Sequence, residues 1–168
     1  MTSALSMTRR LMQLSARNKL RLIEALTALA AASAAIRLAP FRRLVETMDL
    51  GNRGSSPARP DQWALVASCR WAVGAWADRV PWKAVCFQRG LALHWMLRRR
   101  GIDSTLHYGV SRGSESGLAA HVWLSLHGRI ILGGDVDQDY ACLATFPASA
   151  SESGLLQPLR ATRPVQKP

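Results

Sequence analysis

Apolar residues recur at three- and four-residue steps from about Asn18 to Leu38, with Leu20, Ile23, Leu26 or Thr27, and Ala30 on one stripe. The spacing predicts a helix, the alanine-rich composition favours it, and Pro40 ends it. A short basic helix over Phe41–Met48 follows, then a Gly/Pro/Ser-rich linker over 49–60. The next helical pattern runs from Asp61, read as its N-cap, to Arg79, with Pro81 as the stop. Trp63, Val66, Arg70 and Val73 mark one of its stripes, and Leu65, Cys69, Ala72 and Trp76 another. A helix apolar on so many sides is expected to be buried, with Cys69 as core packing. A further helix is predicted over Cys86–Arg100, closed by Gly101. Arg98, Arg99 and Arg100 suit the negative end of its dipole, which gives the basic triplet a structural reason.

The period then changes to two. Ser104–Val110, Ala119–Leu126 and Arg129–Leu132 read as strands, with a flexible loop over Ser111–Gly117 and a tight turn at His127-Gly128. The fold class is α+β: a helix carrying Cys86 packs on a small antiparallel sheet behind a helical N-terminal extension. Three stretches are expected: a basic helical arm and linker over 1–60, a core over 61–147, and a loosely ordered tail over 148–168.

Composition narrows the classes. The 168 residues make about one domain, and 48% hydrophobic with 20% charged residues excludes a disordered chain or a fibre. The net charge is +11, of which residues 1–60 hold +7, ten Lys/Arg against three Asp/Glu. Such a balance suits an acidic partner, an anionic membrane surface or nucleic acid. Basic and aromatic residues are not interleaved as in RNA-binding modules, so nucleic acid is not expected. Three widely spaced cysteines without a CxxC point to a reducing, cytoplasmic setting. No secretory signal is read near Met1. The longest apolar run, Ala25 to Ile36, is too short to cross a membrane, though residues 9–43 could lie on the inner face of one.

The candidate chemistry lies at Cys86. A thiol opening a helix meets free backbone N–H groups, which favour the thiolate and could hold an oxyanion. His121 follows on a strand and Asp135 on the next strand of the hairpin, the order of a thiol nucleophile, an imidazole base and a carboxylate that orients the imidazole. With a two-residue turn at His127-Gly128, His121 lies opposite Gly134, and one extra residue at Gly133-Gly134, a β-bulge, brings Asp135 opposite His121. Gln88, Trp82 and Trp123 are candidates for oxyanion or substrate contacts, and His107 for a supporting role. Cys86, His94, His107 and His121 match no common zinc spacing, so neither a metal nor another cofactor is expected.

The segments Pro81-Trp82…Cys86-Phe-Gln88, Leu106-His-Tyr-Gly-Val110, Ala120-His-Val-Trp-Leu124 and Gly133-Gly-Asp135 resemble the transglutaminase-like proteases of lasso peptide biosynthesis, in the stand-alone form that is one half of a split protein. The resemblance covers about residues 19–146 and includes the helix ending Arg37-Leu-Ala-Pro-Phe-Arg-Arg43. The His121-to-Asp135 spacing is about one residue longer than the family's. The resemblance implies a papain- or transglutaminase-like core and a Cys86–His121–Asp135 cysteine peptidase that cuts a precursor peptide between leader and core without ATP. It also implies two partners: a separate leader-binding protein, and a macrolactam cyclase that receives the freed α-amine. Two other readings stand beside it: a transglutaminase or acyltransferase of the same fold, and a non-catalytic basic docking module.

Overall fold

The computed structural model describes residues 14–49, 60–113, 117–134 and 140–147. Four helices come first: α1 (Ala16–Leu38), α2 (Phe41–Asp49), α3 (Pro60–Ala77) and α4 (Cys86–Arg98). Four strands follow: β1 (Thr105–Gly113), β2 (Gly117–Leu126), β3 (Arg129–Leu132) and β4 (Ala141–Phe146). They form one antiparallel sheet in the order β3-β2-β1-β4, with α4 packed on β2 and β1. The expected α+β architecture is what the chain adopts.

The sequence leaves the inward face of α1 ambiguous because Ala and Leu occupy nearly its whole circumference. The stripe that marks the helix in the sequence begins on the outer side: Leu20 is 67% and Ile23 60% exposed. Leu22, Ala25, Leu29 and Ala32, also spaced at three and four, form the buried stripe instead. They pack against α3 and α4 in the same core cluster as the sheet residues Leu106, Val122 and Leu124. Two polar contacts select that face. Trp76 Nε1 donates to the Leu22 carbonyl at 2.8 Å, and Arg100 forms a two-pronged ion pair with Glu24. α1 is therefore part of the core rather than an arm set apart from it. The expected divide near residue 60 separates nothing in the packing, since Leu44 and Met48 of α2 are also buried in that cluster.

Other boundaries shift for local reasons. Ser15 caps α1, its hydroxyl accepting from the Asn18 N–H. Pro60 is the first helical residue of α3, where its missing N–H has no intrahelical role, so Asp61 lies inside the helix and is not its cap. α4 closes at Gly101 with φ +68, as expected, although its last regular residue is Arg98. β1 and β2 pair as far as Gly113 and Gly117, so most of the expected Ser111–Gly117 loop is strand. β4 was not expected at all. The expected linker over 50–59, the tail over 148–168 and Asp135 lie outside the described residues.

The hairpin joining β2 and β3 sets the register of the site. His127 and Gly128 both have positive φ, 47 and 76, a two-residue turn of the type that matches strand twist. Leu126 then pairs with Arg129 and Ser125 with Ile130, but Leu124 pairs with Leu132. The extra residue is thus Ile131, not the Gly133-Gly134 pair. The shift by one is present; its location is corrected. Ile131 is the better bulge residue because its side chain is buried in the core, which holds the irregularity in place. Gly133 has another task. Its φ is +73, and a Cβ there would stand 2.8 Å from the Val122 carbonyl oxygen and 3.1 Å from Trp123 Cα. Only glycine fits that close approach.

Candidate active site

Cys86 is the first residue of α4, as its sequence position suggested. The residue before it, Val85, offers no side-chain cap, and the first turn contains no acidic residue. The N–H groups of that turn therefore have no side-chain acceptor from the cap and lie at the positive end of the helix. Cys86 is half-buried, Cys69 is buried in the core and Cys142 is exposed; none is in a disulfide. Burial pushes the Cys69 thiol above its ordinary value, which makes it a poor nucleophile.

The segment entering α4 is tied down by a residue the sequence reading did not single out. Arg89 Nε donates to the Ala84 carbonyl at 2.7 Å, and its other arm meets Asp78 at 2.7 Å. One guanidinium thus holds the turn that delivers Cys86 to both ends of its approach. Trp82 and Gln88 stand four residues before and two after the thiol. Trp82 Nε1 and Gln88 Oε1 are buried and have no hydrogen-bond partner among the described residues. Leaving such groups unpaired costs about 1–3 kcal/mol each, so a donor and an acceptor without partners in the segment around Cys86 are candidates for contact with a ligand.

The helix is pressed on the strand that carries His121. A Cβ at Gly90 would lie 3.0 Å from Val122 Cγ1 and 3.6 Å from Leu106 Cδ1. Cys86 is one turn earlier on the same helical face, about 6 Å along the axis. Val122 is the neighbour of His121 in β2. Strand alternation puts His121 on the sheet face opposite Val122, together with Trp123, and no hydrogen bond joins Cys86 to His121 among the described residues. The His121 ring lies against Tyr140, centroids 5.4 Å apart and planes tilted by 47°, a neighbour the sequence reading missed.

The face bearing His121 is organised around Trp123. Gly109 pairs with His121 across the β1–β2 ladder, and the Trp123 ring lies over its Cα. The far side of the group is His107, stacked on Trp123 at 5.3 Å with planes 4° apart and hydrogen-bonded through Nε2 to Ser125 Oγ at 2.7 Å. His107 thus shares the His121 face, held through Trp123, while His127 sits in the turn. His94 is a core residue: its Nδ1 meets Ser104 Oγ at 3.0 Å, and burial, assisted by Arg98, lowers its pKa to about 4. Among the described residues no group of three His, Cys, Asp or Glu side chains could hold a metal ion, and no helix is long and apolar enough to cross a membrane.

The structure thus puts Trp123 and His121 on one face of β2 and Cys86 on the helix packed against the other, and leaves Trp82 and Gln88 with buried groups that have no partner among the described residues. Neither the curated proteins nor the solved structures give a match. A helix led by a cysteine and packed on a histidine-bearing antiparallel sheet nevertheless has a family: the profile of the transglutaminase-like superfamily matches residues 7–145, from before α1 into β4, and the chain belongs to that superfamily.

Proposed function

We propose that this protein is a cysteine peptidase that removes the leader from a ribosomally made lasso precursor peptide, freeing the core α-amine for a separate macrolactam cyclase. The superfamily includes cysteine peptidases and acyltransferases, both working through a thioester. The observation that carries the reading is the thiol at the uncapped start of α4, in a segment where Trp82 Nε1 and Gln88 Oε1 are buried without a partner among the described residues. In this mechanism Cys86 Sγ attacks the scissile carbonyl carbon while its proton passes to His121. The oxyanion accepts from the first-turn N–H groups and from Trp82 Nε1. His121 returns the proton to the leaving amine, the thioester forms, and water hydrolyses it. Asp135 orients His121, for which a one-residue register shift between β2 and β3 is what the spacing requires. Because α4 packs on the Val122 face of β2 and His121 lies on the other, this reading requires β2 to turn the imidazole toward Cys86 in the substrate complex.

The partners follow from the same reading: the precursor peptide, a leader-binding protein acting in trans, and the cyclase, all in the cytoplasm. Contact with the inner membrane face through residues 9–43 is a further expectation of the basic N-terminal third. Incubating the protein with a candidate precursor, with and without its leader-binding partner, and weighing the products tests the reaction. A peptidase yields two fragments that together exceed the precursor by one water; an acyltransferase yields an amine adduct. Cys86→Ala should abolish cleavage. His121→Gln should do so far more completely than His107→Gln, and the reverse order would move the base to His107.

A further inference from the structure

The groove between α3 and β3 takes no part in the chemistry above. It encloses about 470 Å³ and is lined by Trp63, Val66, Arg70, Trp71, Arg129 and Ile130. Trp71 is 45% exposed and Ile130 46%, two of the few large apolar side chains open to solvent, and both face this one groove. Its two arginines are held by a ring face and a carbonyl, with no carboxylate on them among the described residues. Arg129 lies over the Trp63 ring, 5.3 Å from its centroid, and Arg70 donates to the Ile131 carbonyl at 3.4 Å. Among the described residues the ion pairs are Arg42–Glu46, Arg89–Asp78 and Arg100–Glu24, so neither groove arginine meets a carboxylate. A guanidinium has five N–H donors, and among the described residues most of theirs have no acceptor.

A ring face and a backbone carbonyl thus fix two cations at the edges of an apolar groove. Arginine and tryptophan in that arrangement carry much of the binding energy at protein surfaces. β3 is an edge strand, but the bulge at Ile131 and the Arg70 bond to its carbonyl spoil it as a template for strand addition. Recognition must therefore run through side chains. A second copy of the chain is a poor occupant, because each copy carries +11.

We propose that this groove binds an acidic, apolar peptide segment, with a carboxylate between Arg70 and Arg129 and an apolar side chain against Trp71 and Ile130. β3 runs directly into Gly133, which abuts Trp123, so a peptide seated here lies beside the strand that borders the His121 face. That the segment belongs to the substrate rests on the peptidase reading; the binding itself does not.

The test uses full-length Cys86→Ala protein and a fluorescein-labelled synthetic peptide of three Leu-Glu repeats, followed by anisotropy at about 0.15 M ionic strength. The Leu-Glu peptide should bind at least about tenfold tighter than Leu-Gln and Ser-Glu peptides of equal length. Arg70→Gln, Arg129→Gln and Ile130→Glu should each weaken it by about tenfold, with melting curves confirming that the variants fold. Arg42→Gln with Arg43→Gln, which removes twice the charge of any single groove variant from exposed positions elsewhere, should leave it unchanged. Equal loss in that control would show bulk charge alone, and unchanged binding in the groove variants or equal binding of the Ser-Glu peptide would also overturn the proposal. Intact binding by a protein that cleaves no precursor would instead count against the peptidase reading.

Discussion

Replacing Gly109 by alanine perturbs the candidate site without touching any proposed catalytic atom. The added Cβ would stand 2.7 and 2.8 Å from two ring carbons of Trp123 and 2.9 Å from the Ala141 carbonyl oxygen. Carbon atoms in favourable contact are about 3.5–4.0 Å apart, so the overlap is near 1 Å. Neither neighbour yields easily. The Trp123 ring is stacked on His107, which Ser125 holds in turn, and the carbonyl belongs to β4, paired with β1. Overpacking of this kind costs about 1–3 kcal/mol, which for a chain of this size lowers Tm by about 3–10 °C. Because the displaced ring adjoins His121, the cleavage rate of the folded protein should fall as well. Gly74→Ala is the matched control. It lies inside α3 with open space around its Cβ position, so alanine should raise stability by about 0.5–1 kcal/mol and leave the rate alone. Circular dichroism melts and cleavage rates on the same samples read both effects. A Gly109→Ala protein that melts like wild type and cleaves at the wild-type rate would refute the packing argument.

Three further outcomes follow from burial and charge. Iodoacetamide on the native protein should label Cys142 and Cys86 and spare Cys69, as peptide mass mapping would show; equal labelling of Cys69 would contradict its place in the core. Glu24 is held below the ordinary carboxyl range first by its hydrogen bonds to Arg100, so its contribution is complete above about pH 4.5 and is lost as pH falls through the lowered value. Glu24→Gln should therefore lose about 1–2 kcal/mol in urea unfolding at pH 7, and the loss should shrink as pH falls below about 4.5. His94 stays neutral in the fold down to about pH 4, while the unfolded chain binds a proton near 6.5, so stability should decline by up to about 3 kcal/mol between those values. A His94→Gln variant with the same slope over that window would assign the decline elsewhere.

Most helices were legible because their ends carry chemical signals that need no tertiary context. Pro40, Gly101 and the step from period 3.6 to period two at Ser104 each mark a boundary that local sterics enforce. The face of α1 was not legible, because a helix with Ala and Leu all round has no preferred side until Trp76 and Arg100 arrive from elsewhere in the chain. β4 escaped for a related reason. Its six residues run from exposed to buried along their length instead of alternating, since it is an edge strand with only Phe146 reaching the core. At the site, residue types pointed to Cys86, His121 and Trp123, whereas Gly109, Arg89 and Tyr140 acquire meaning only from what the fold places against them. The location of the bulge was also a tertiary matter: two glycines looked the more pliable choice, but the core selected Ile131.

If the site is formed by α4 meeting β2, its geometry depends on the distance between them, and Gly90 sets that distance. Alanine at Gly90 brings two opposing effects on stability. Its Cβ would stand 3.0 Å from Val122 Cγ1, which must give by a few tenths of an ångström. Against this, alanine is favoured over glycine inside a helix by about 1 kcal/mol. The two nearly cancel, so Gly90→Ala should melt within a few degrees of wild type. The rate has no such compensation. Any relief of the contact by moving α4 away from β2 carries Cys86, one turn along the same face, away from the strand of His121. Since misplacement by 1 Å can cost about a hundredfold, a shift of a few tenths should slow cleavage by several-fold to about tenfold. Val122→Ala in the same protein removes the obstructing methyl and should recover part of the rate, despite opening a small cavity of its own. A Gly90→Ala enzyme with the wild-type rate would mean that the separation of α4 and β2 does not govern the chemistry, and that Cys86 and His121 do not act as a pair.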